Sequence, residues 1–363
     1  MCILAKRKRH DSAIFYLEET LFQAYTIIKE NLSSMKLTVL LFNLWAVLLF
    51  ACSSNPQENT TMEVEQPINP DVEAELLLDI KALLGEGPIW NHETQQLYWV
   101  DIEKRQLHLY TPATAEDNFF DTGERVGTVV PVETGGALVA LQDGIYWMGL
   151  QDGDKELIVN PLPEGIRFND GKCDPVGRLW VGSMHLQGKK GEATLYMMDN
   201  QQQIHPKLDS VTISNGIIWS LDNQTMYYID TPTRQVRAFD FEPATGDISN
   251  ARVAVQVPEE NGAPDGMTID EEGMLWIGHW GGGMVGRYNP ENGELIQKVT
   301  VPALNVTACA FGGDNFEKLY ITTASIGMNE EQQEQYPLAG GLFVAEPGVR
   351  GVPADFYRGL ENE

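Results

Sequence analysis

The chain has 363 residues, 52 acidic against 25 basic for a formal charge of −27, and 34 Gly and 19 Pro spread along its length. This is a globular profile, long enough for one large core or two domains. It excludes a nucleic-acid partner, because binding a phosphate backbone needs Lys and Arg to neutralise it; otherwise the acidity reads as solvated surface.

The first fifty residues stand apart from the globule. Residues 37–51, LTVLLFNLWAVLLFA, form an apolar run directly after Met35-Lys36. It is shorter than the roughly 20 residues of a spanning helix but fits the apolar core of a secretory signal. Leu49-Phe50-Ala51-Cys52 resembles a bacterial lipobox, with a bulky Phe inside it, and makes Cys52 the expected lipid-bearing residue; an ordinary signal peptide or N-terminal anchor is the alternative. Residues 35–51 are therefore read as a lipoprotein signal. Residues 1–34, which include Lys6-Arg7-Lys8-Arg9, are read as an overextended start or a cytoplasmic extension. Residues 52–72 are polar, acidic and Pro-containing, as a flexible tether is.

From residue 73 to 363 nearly every apolar run is short, aromatic or β-branched, and bounded by Gly, Asp, Asn or Pro, which predicts an all-β domain. Aromatic centres recur at Trp99, Trp147, Trp180, Tyr228, Trp276 and Tyr320. A spacing of about 40 to 50 residues with several strands per unit predicts a β-propeller of four-stranded blades. Six centres predict six blades. Ring closure is expected from pairing the early strand around residues 74–83 with the C-terminal GGLFVAEPGV, which hides two sheet edges.

An oxygen-bearing side chain precedes glycine at Glu86-Gly87, Asp170-Gly171, Asn215-Gly216 and Asp265-Gly266, and one of the aromatic strands follows each pair. Any one of these is a common turn dipeptide. Their recurrence at the blade period places them at equivalent points around an axis, where Glu86, Asn215 and Asp265 offer three oxygens and a charge of about −2 to a divalent cation. In Arg167-Phe168-Asn169-Asp170-Gly171, Arg167 supplies a fork of donors and Asn169 a neutral donor and acceptor for substrate, while Asp170 supports the turn. Cys173 and Cys309 are expected to be buried free thiols, and Trp90 and Trp219 to be core.

The phrases GEGPIW, RFNDGKCDPVGRLWVGSM, ISNGIIWSLDNQTMYYID, APDGMTIDEEGMLWIGHWGGGMVGRYNP, ACAFGGDNFEKLYITTA and PLAGGLFVAEPGVRGVP, in order over residues 80–358, resemble the senescence marker protein 30/gluconolactonase/regucalcin family of six-bladed propellers. The resemblance implies Glu86, Asn215 and Asp265 as ligands of one divalent cation, with calcium first and zinc, manganese, magnesium or iron as alternatives. It further implies Asp265 as general base, Arg167 and Asn169 as substrate-binding residues, and hydrolysis of a sugar lactone to its aldonic acid. Several animal members carry acidic residues after the strand that here reads WVGSM, whereas this chain has His185-Leu186-Gln187, so sugar contacts from that loop do not transfer. His185 and His279, the latter beside Trp280-Gly281-Gly282-Gly283, are candidate substrate contacts, with a structural role as the alternative for each. The chemistry is coherent: a cation polarises the lactone carbonyl and a carboxylate accepts a proton from water. A phosphotriesterase-like or other esterase, and a non-catalytic calcium- or ligand-binding propeller, are the rival readings. The expected partners are a small sugar lactone and, through the Cys52 lipid, a membrane, which places the protein in the periplasm or at the outer membrane; no oligomeric state follows.

Overall fold

The computed structural model describes residues 70–360. Cys52, the 35–51 signal and nearly all of the 52–72 tether lie outside the described residues.

Six antiparallel sheets follow one another along the chain. In blades 1 to 4 the strands step outward in sequence order from an innermost first strand, and blades 5 and 6 do the same but each takes its outermost strand from the start of the domain. Blade 1 holds Gly85–Asn91, Gln96–Asp101, Gln106–Thr111 and Glu116–Asp121. Blade 2 holds Val126–Pro131, Ala137–Leu141, Gly144–Met148 and Lys155–Val159, and blade 3 holds Ile166–Cys173, Leu179–His185, Ala193–Met198 and Ile204–Val211. Blade 4 holds Ser214–Trp219, Thr225–Asp230, Gln235–Glu242 and Asp247–Gln256; blade 5 begins with Ala263–Ile269, Leu275–Trp280, Met284–Tyr288 and Leu295–Thr300. Blade 6 takes Asn305–Gly312, Lys318–Ala324 and Leu342–Ala345 from the C-terminal part of the chain. First strands pack against the first strands of both neighbours, and Asn305–Gly312 returns to Gly85–Asn91. The chain is a six-bladed β-propeller.

Closure is as the sequence predicts, with an addition. Glu75–Leu78 completes blade 6 antiparallel to Leu342–Ala345, with Leu76 opposite Phe343. Just before it, Val72–Glu73 joins the outer edge of blade 5 in parallel, opposite Val299 and Thr300. One short segment thus covers the edges of two sheets.

The four oxygen-before-glycine pairs lie in strands rather than in turns. Every first strand carries a register irregularity near its beginning, between Glu86 and Ile89, Phe168 and Gly171, Ser214 and Ile217, and Pro264 and Met267 in the four relevant blades. A bulge of this kind bends a strand and re-aims its side chains. Glycine is required there by crowding: a Cβ on Gly216 would stand 2.8 Å from the Asp265 carbonyl oxygen, and one on Gly266 2.4 Å from the Ala308 Cβ.

The aromatic centres occupy second strands in five blades, but Trp147 falls on the third strand of blade 2 and is only half-buried. The second strand of that blade, Ala137–Leu141, is wholly aliphatic, which accounts for the uneven aromatic spacing. Three of the true centres share one device. Trp180 and Trp276 donate their indole N–H to Asp174 and Asp270 at 2.9 Å, and each carboxylate also receives an arginine Nε, from Arg178 at 2.6 Å and Arg287 at 2.7 Å. In blade 1, Asp117 accepts from Trp99 at 3.2 Å and meets His108 at 2.7 Å. Each of these three blades thereby satisfies its buried indole, and in blades 3 and 5 the arginine also neutralises the buried acid. Cys173 and Cys309 are buried and free, as expected.

After blade 6 the C-terminal segment crosses the far end of the ring. The backbone N–H groups of Gly351, Tyr357 and Arg358 donate to the carbonyls of Phe316, Pro131 and Gly177 at 2.9, 2.9 and 3.0 Å. Contacts from blade 6 to blades 2 and 3 tie opposite sides of the ring together.

Removing Asp174 leaves Arg178, 5 % exposed, charged without a carboxylate. Asp174→Ala is expected to lower unfolding free energy by roughly 3–5 kcal/mol in denaturant titration, the usual cost of breaking a buried pair. Asp240→Ala, which removes the exposed pair with Arg252, should leave the midpoint nearly unchanged.

Candidate functional site

Bulged first strands from four blades bring Glu86, Arg167, Asn169, Asp170, Asn215 and Asp265 together at one end of the channel, each at most 6 % exposed. Their hydrogen bonds run from blade to blade. Arg167 Nη1 donates to Asn169 Oδ1 at 2.7 Å and to its neighbour's carbonyl, Phe168 O, at 2.8 Å. Asn169 Nδ2 donates across to blade 4, to Asn215 Oδ1 at 2.8 Å and Ser214 O at 2.7 Å. Asn215 Nδ2 donates to Thr231 Oγ1 at 2.7 Å, and that hydroxyl donates to Pro264 O, next to Asp265, at 2.8 Å. The relay fixes which way both amides face.

The carboxylates are less well served. Among the described residues Glu86 Oε2 accepts only from Gly87 N at 3.2 Å, and Asp170 Oδ1 only from Gly171 N at 2.7 Å. Asp170 Oδ2 and Asp265 Oδ1 are buried without a partner among the described residues. Burial, followed by the charge of Asp170, pushes Glu86 up to about 8. Burial and then the charges of Glu86 and Asp170 hold Asp265 well above the carboxylate range, and burial raises Asp170. Arg167 is drawn down to about 10 by burial despite the nearby Glu103 and Glu86. Three acids that oppose one another's ionisation, with two unpartnered oxygens among them, form a site short of positive charge.

That chemistry fits a hard divalent cation. Glu86 and Asp265 offer carboxylate oxygens and Asn215 an amide oxygen, all on bulged strands. Among the described residues no three His, Cys, Asp or Glu side chains make a ready cage, so the amide oxygen and added waters or substrate would have to complete the coordination.

The sequence-selected residues separate into two groups. Glu86, Asn215, Asp265, Arg167 and Asn169 are at the cluster. Asp170 steadies the bulge through Gly171, as its expected supporting role requires, and also adds its charge to the cluster. His185 ends the second strand of blade 3, opposite Ile166; its Nδ1 accepts from Gln187 N at 2.9 Å and its Nε2 lies 3.6 Å from the half-exposed Glu192. His279 is wholly buried, with Nδ1 on Asn261 O at 2.9 Å and Nε2 on Tyr288 Oη at 3.2 Å, so both ring nitrogens are engaged within blade 5 and its approach. Thr231 and Lys172 escaped the sequence reading. Thr231 sits in an ordinary-looking Thr-Pro-Thr turn, whereas Lys172 was visible as a cation inside an otherwise buried strand.

Burial pushes His279 down to about 4. A histidine held neutral stabilises the fold above its ordinary value of about 6.5 and loses that contribution as pH falls through about 4, on the order of 3 kcal/mol in total. NMR titration of the ring protons should show His279 neutral at pH 5; an inflection near 6.5 would refute the enclosed position.

Residues 84–325 match the profile of the SMP-30/Gluconolactonase/LRE-like region. The chain is 39 % identical over 287 residues to the putative sugar lactone lactonase YvrE of Bacillus subtilis, covering 78 % of this chain and 98 % of that protein. It is 38 % identical over 296 residues to regucalcin of Danio rerio, covering 79 % and 99 %. The solved structure of a calcium-binding protein, regucalcin, from Agrobacterium tumefaciens superposes with a TM-score of 0.75 at 27 % identity, covering 80 % and 98 %. In extent of match, fold and order of motifs, the chain belongs to the SMP-30/gluconolactonase/regucalcin-like family.

Proposed function

We propose that this protein hydrolyses sugar lactones with the help of one divalent cation, held by Glu86, Asn215 and Asp265. The observation that carries the proposal is the partnerless Asp265 Oδ1 among buried acids on separate blades, opposite an ordered Arg167–Asn169–Asn215 relay. Membership of a family that includes gluconolactonases, and the likeness to a putative sugar lactone lactonase, supply the substrate class. An all-oxygen donor set favours a hard cation, calcium, magnesium or manganese, over zinc or iron, and the likeness to a calcium-binding regucalcin puts calcium first.

When bound, the cation compensates the acids and polarises the lactone carbonyl as a Lewis acid. Arg167 and Asn169 orient the substrate by donating to its oxygens, and His185 is proposed as a further contact at the rim. Asp265 accepts a proton from the attacking water as the oxygen–carbon bond forms, and returns it to the ring oxygen as the ester bond breaks. Water and lactone thus give the hydroxy acid with no covalent enzyme intermediate. Asn169 and Thr231 hold the Asn215 amide so that its oxygen faces the cluster and its nitrogen faces away.

Asp265→Asn should lower kcat by at least about a hundredfold, or roughly 2.7 kcal/mol, in a pH-indicator assay over aldonolactones. Cation-dependent melting without turnover on any lactone would make the protein a binding propeller instead. Thr231→Val, which removes the acceptor for Asn215 Nδ2, should weaken calcium binding about tenfold by calorimetry, and Thr231→Ser should restore it. Export and anchoring through Cys52 rest on the sequence alone; Cys52→Ala should release the protein from the membrane fraction.

A further inference from the structure

The first strand of blade 2, Val126–Pro131, has glycine where its neighbours carry Glu86 and Asn169. A Cβ on Gly127 would stand 2.6 Å from the Asn169 carbonyl oxygen and 2.7 Å from that of Phe168, and Thr128 Oγ1 donates to Gly171 O at 3.0 Å. These contacts set the register between blades 2 and 3. On the other side a Cβ on Gly87 would lie 3.4 Å from Thr128 Oγ1 and 3.8 Å from Gly127 O, which sets the register with blade 1. Arg125, two residues before Gly127, therefore stands level with Arg167 of blade 3 and with the Gly85-Glu86 entry of blade 1.

The Arg125 side chain reaches back to blade 1, where its Nε and Nη2 donate to a single oxygen, Glu103 Oε2, at 3.1 and 2.9 Å. Glu103 lies in the turn after Asp101, whose strand partner Gly85 opens the first strand, so the ion pair spans the seam between blades 1 and 2 at the cluster's end of the ring. After burial, the charges of Glu103 and then Arg125 act most on the Arg167 guanidinium, ahead of Glu86. Among the described residues Glu103 Oε1 and Arg125 Nη1 make no hydrogen bond, nor do Nε and Nη2 of Arg167, and none of these atoms is sealed from water. An open acceptor and open donors thus stand beside one another. Because Glu103 and Arg125 neutralise each other, the pair suits a hydroxyl, which donates to the carboxylate and accepts from the guanidinium. An anionic group would instead meet Glu103 and the acids of the cluster.

We infer that the Glu103–Arg125 pair is a specificity element of the site, which binds a hydroxyl of a neutral, polyhydroxylated lactone whose ester group lies at the Glu86–Asn215–Asp265 cluster. The inference rests on the lactonase reading above and adds what selects the substrate. Glu103 Oε1 and Arg125 Nη1 contact the hydroxyl, Arg167 serves the oxygens next to it, and a lactone ring without hydroxyls leaves the pair to water. Its contribution falls on affinity, since the pair stands outside the cluster where the ester bond breaks.

The test compares steady-state kinetics of the detergent-solubilised full chain, supplied with calcium, magnesium or manganese, on δ-gluconolactone, its phosphorylated form and δ-valerolactone, which has the ring without hydroxyls. Glu103→Ala and Arg125→Ala should each raise KM for δ-gluconolactone about tenfold more than KM for δ-valerolactone. The double variant should be no worse than the poorer single one, because the two side chains act as a unit. Glu103→Ala, which leaves the Arg125 charge uncompensated, should also shift preference toward the phosphorylated lactone. Melting close to that of the parent shows that each variant is folded, as a part-exposed pair allows. Equal effects on the hydroxylated and bare rings, a loss confined to kcat, or a parent enzyme that prefers the phosphorylated lactone would each overturn the inference while leaving the lactonase reading in place. Turnover of no lactone at all would remove that reading, and this inference with it.

Discussion

Six strands crowded around one axis impose the constraint on which this molecule turns. Near their bulges the neighbouring first strands come so close that a side chain on Gly216 or Gly266 would collide with the next blade. The residue before each glycine therefore sits where the strand bends, and its side chain is delivered to a space shared with its counterparts. Blade geometry alone places polar groups from separate sheets within hydrogen-bonding reach, as the Asn169–Asn215 bond shows. Chemistry at the axis is a consequence of packing, and the surrounding sheets bear its cost through their own well-satisfied interiors.

The contrast between those interiors and the axis is electrostatic. In blades 3 and 5 a buried carboxylate is matched by an arginine and an indole, so no acid is left uncompensated. At the axis Glu86, Asp170 and Asp265 oppose one another while Arg167 spends its Nη1 on an amide and a carbonyl. At the axis this fold, able to neutralise buried acids elsewhere, leaves three of them facing one another. Such uncompensated charge is the mark of a place meant to be completed by something else.

Much of this was legible in the residue order. Recurrence of an oxygen before glycine located the cluster, because a repeat carries its own geometry, and the aromatic rhythm counted the blades. The same rhythm misplaced Trp147, since an aromatic in a strand does not say which strand of the blade it belongs to, and blade 2 replaces its centre with aliphatic residues. His279 attracted attention through its glycine-rich surroundings, yet its ring is held by Asn261 and Tyr288, partners separated from it in sequence by turns whose course no local pattern fixes. Thr231 was invisible for a related reason: it acts through a hydrogen bond to an amide sixteen positions earlier. Trp90 and Trp219 are buried, as expected, but burial does not reveal that their nitrogens go without partners.

The double seam at the start of the domain has a mechanical consequence. Val72–Glu73 lies parallel to the rim strand of blade 5, whereas Glu75–Leu78, two residues on, is the strand that locks blade 6 to its C-terminal partner. Pro70 O accepts from Gln297 Nε2 and Asp71 Oδ1 from Lys298 N, both at 2.8 Å, so the chain is fastened along the rim of blade 5 before the strand that closes blade 6 begins. Peeling this rim contact away would expose only the edge of blade 5, because the pairing of Leu76 with Phe343 that shuts the ring is made by a separate strand.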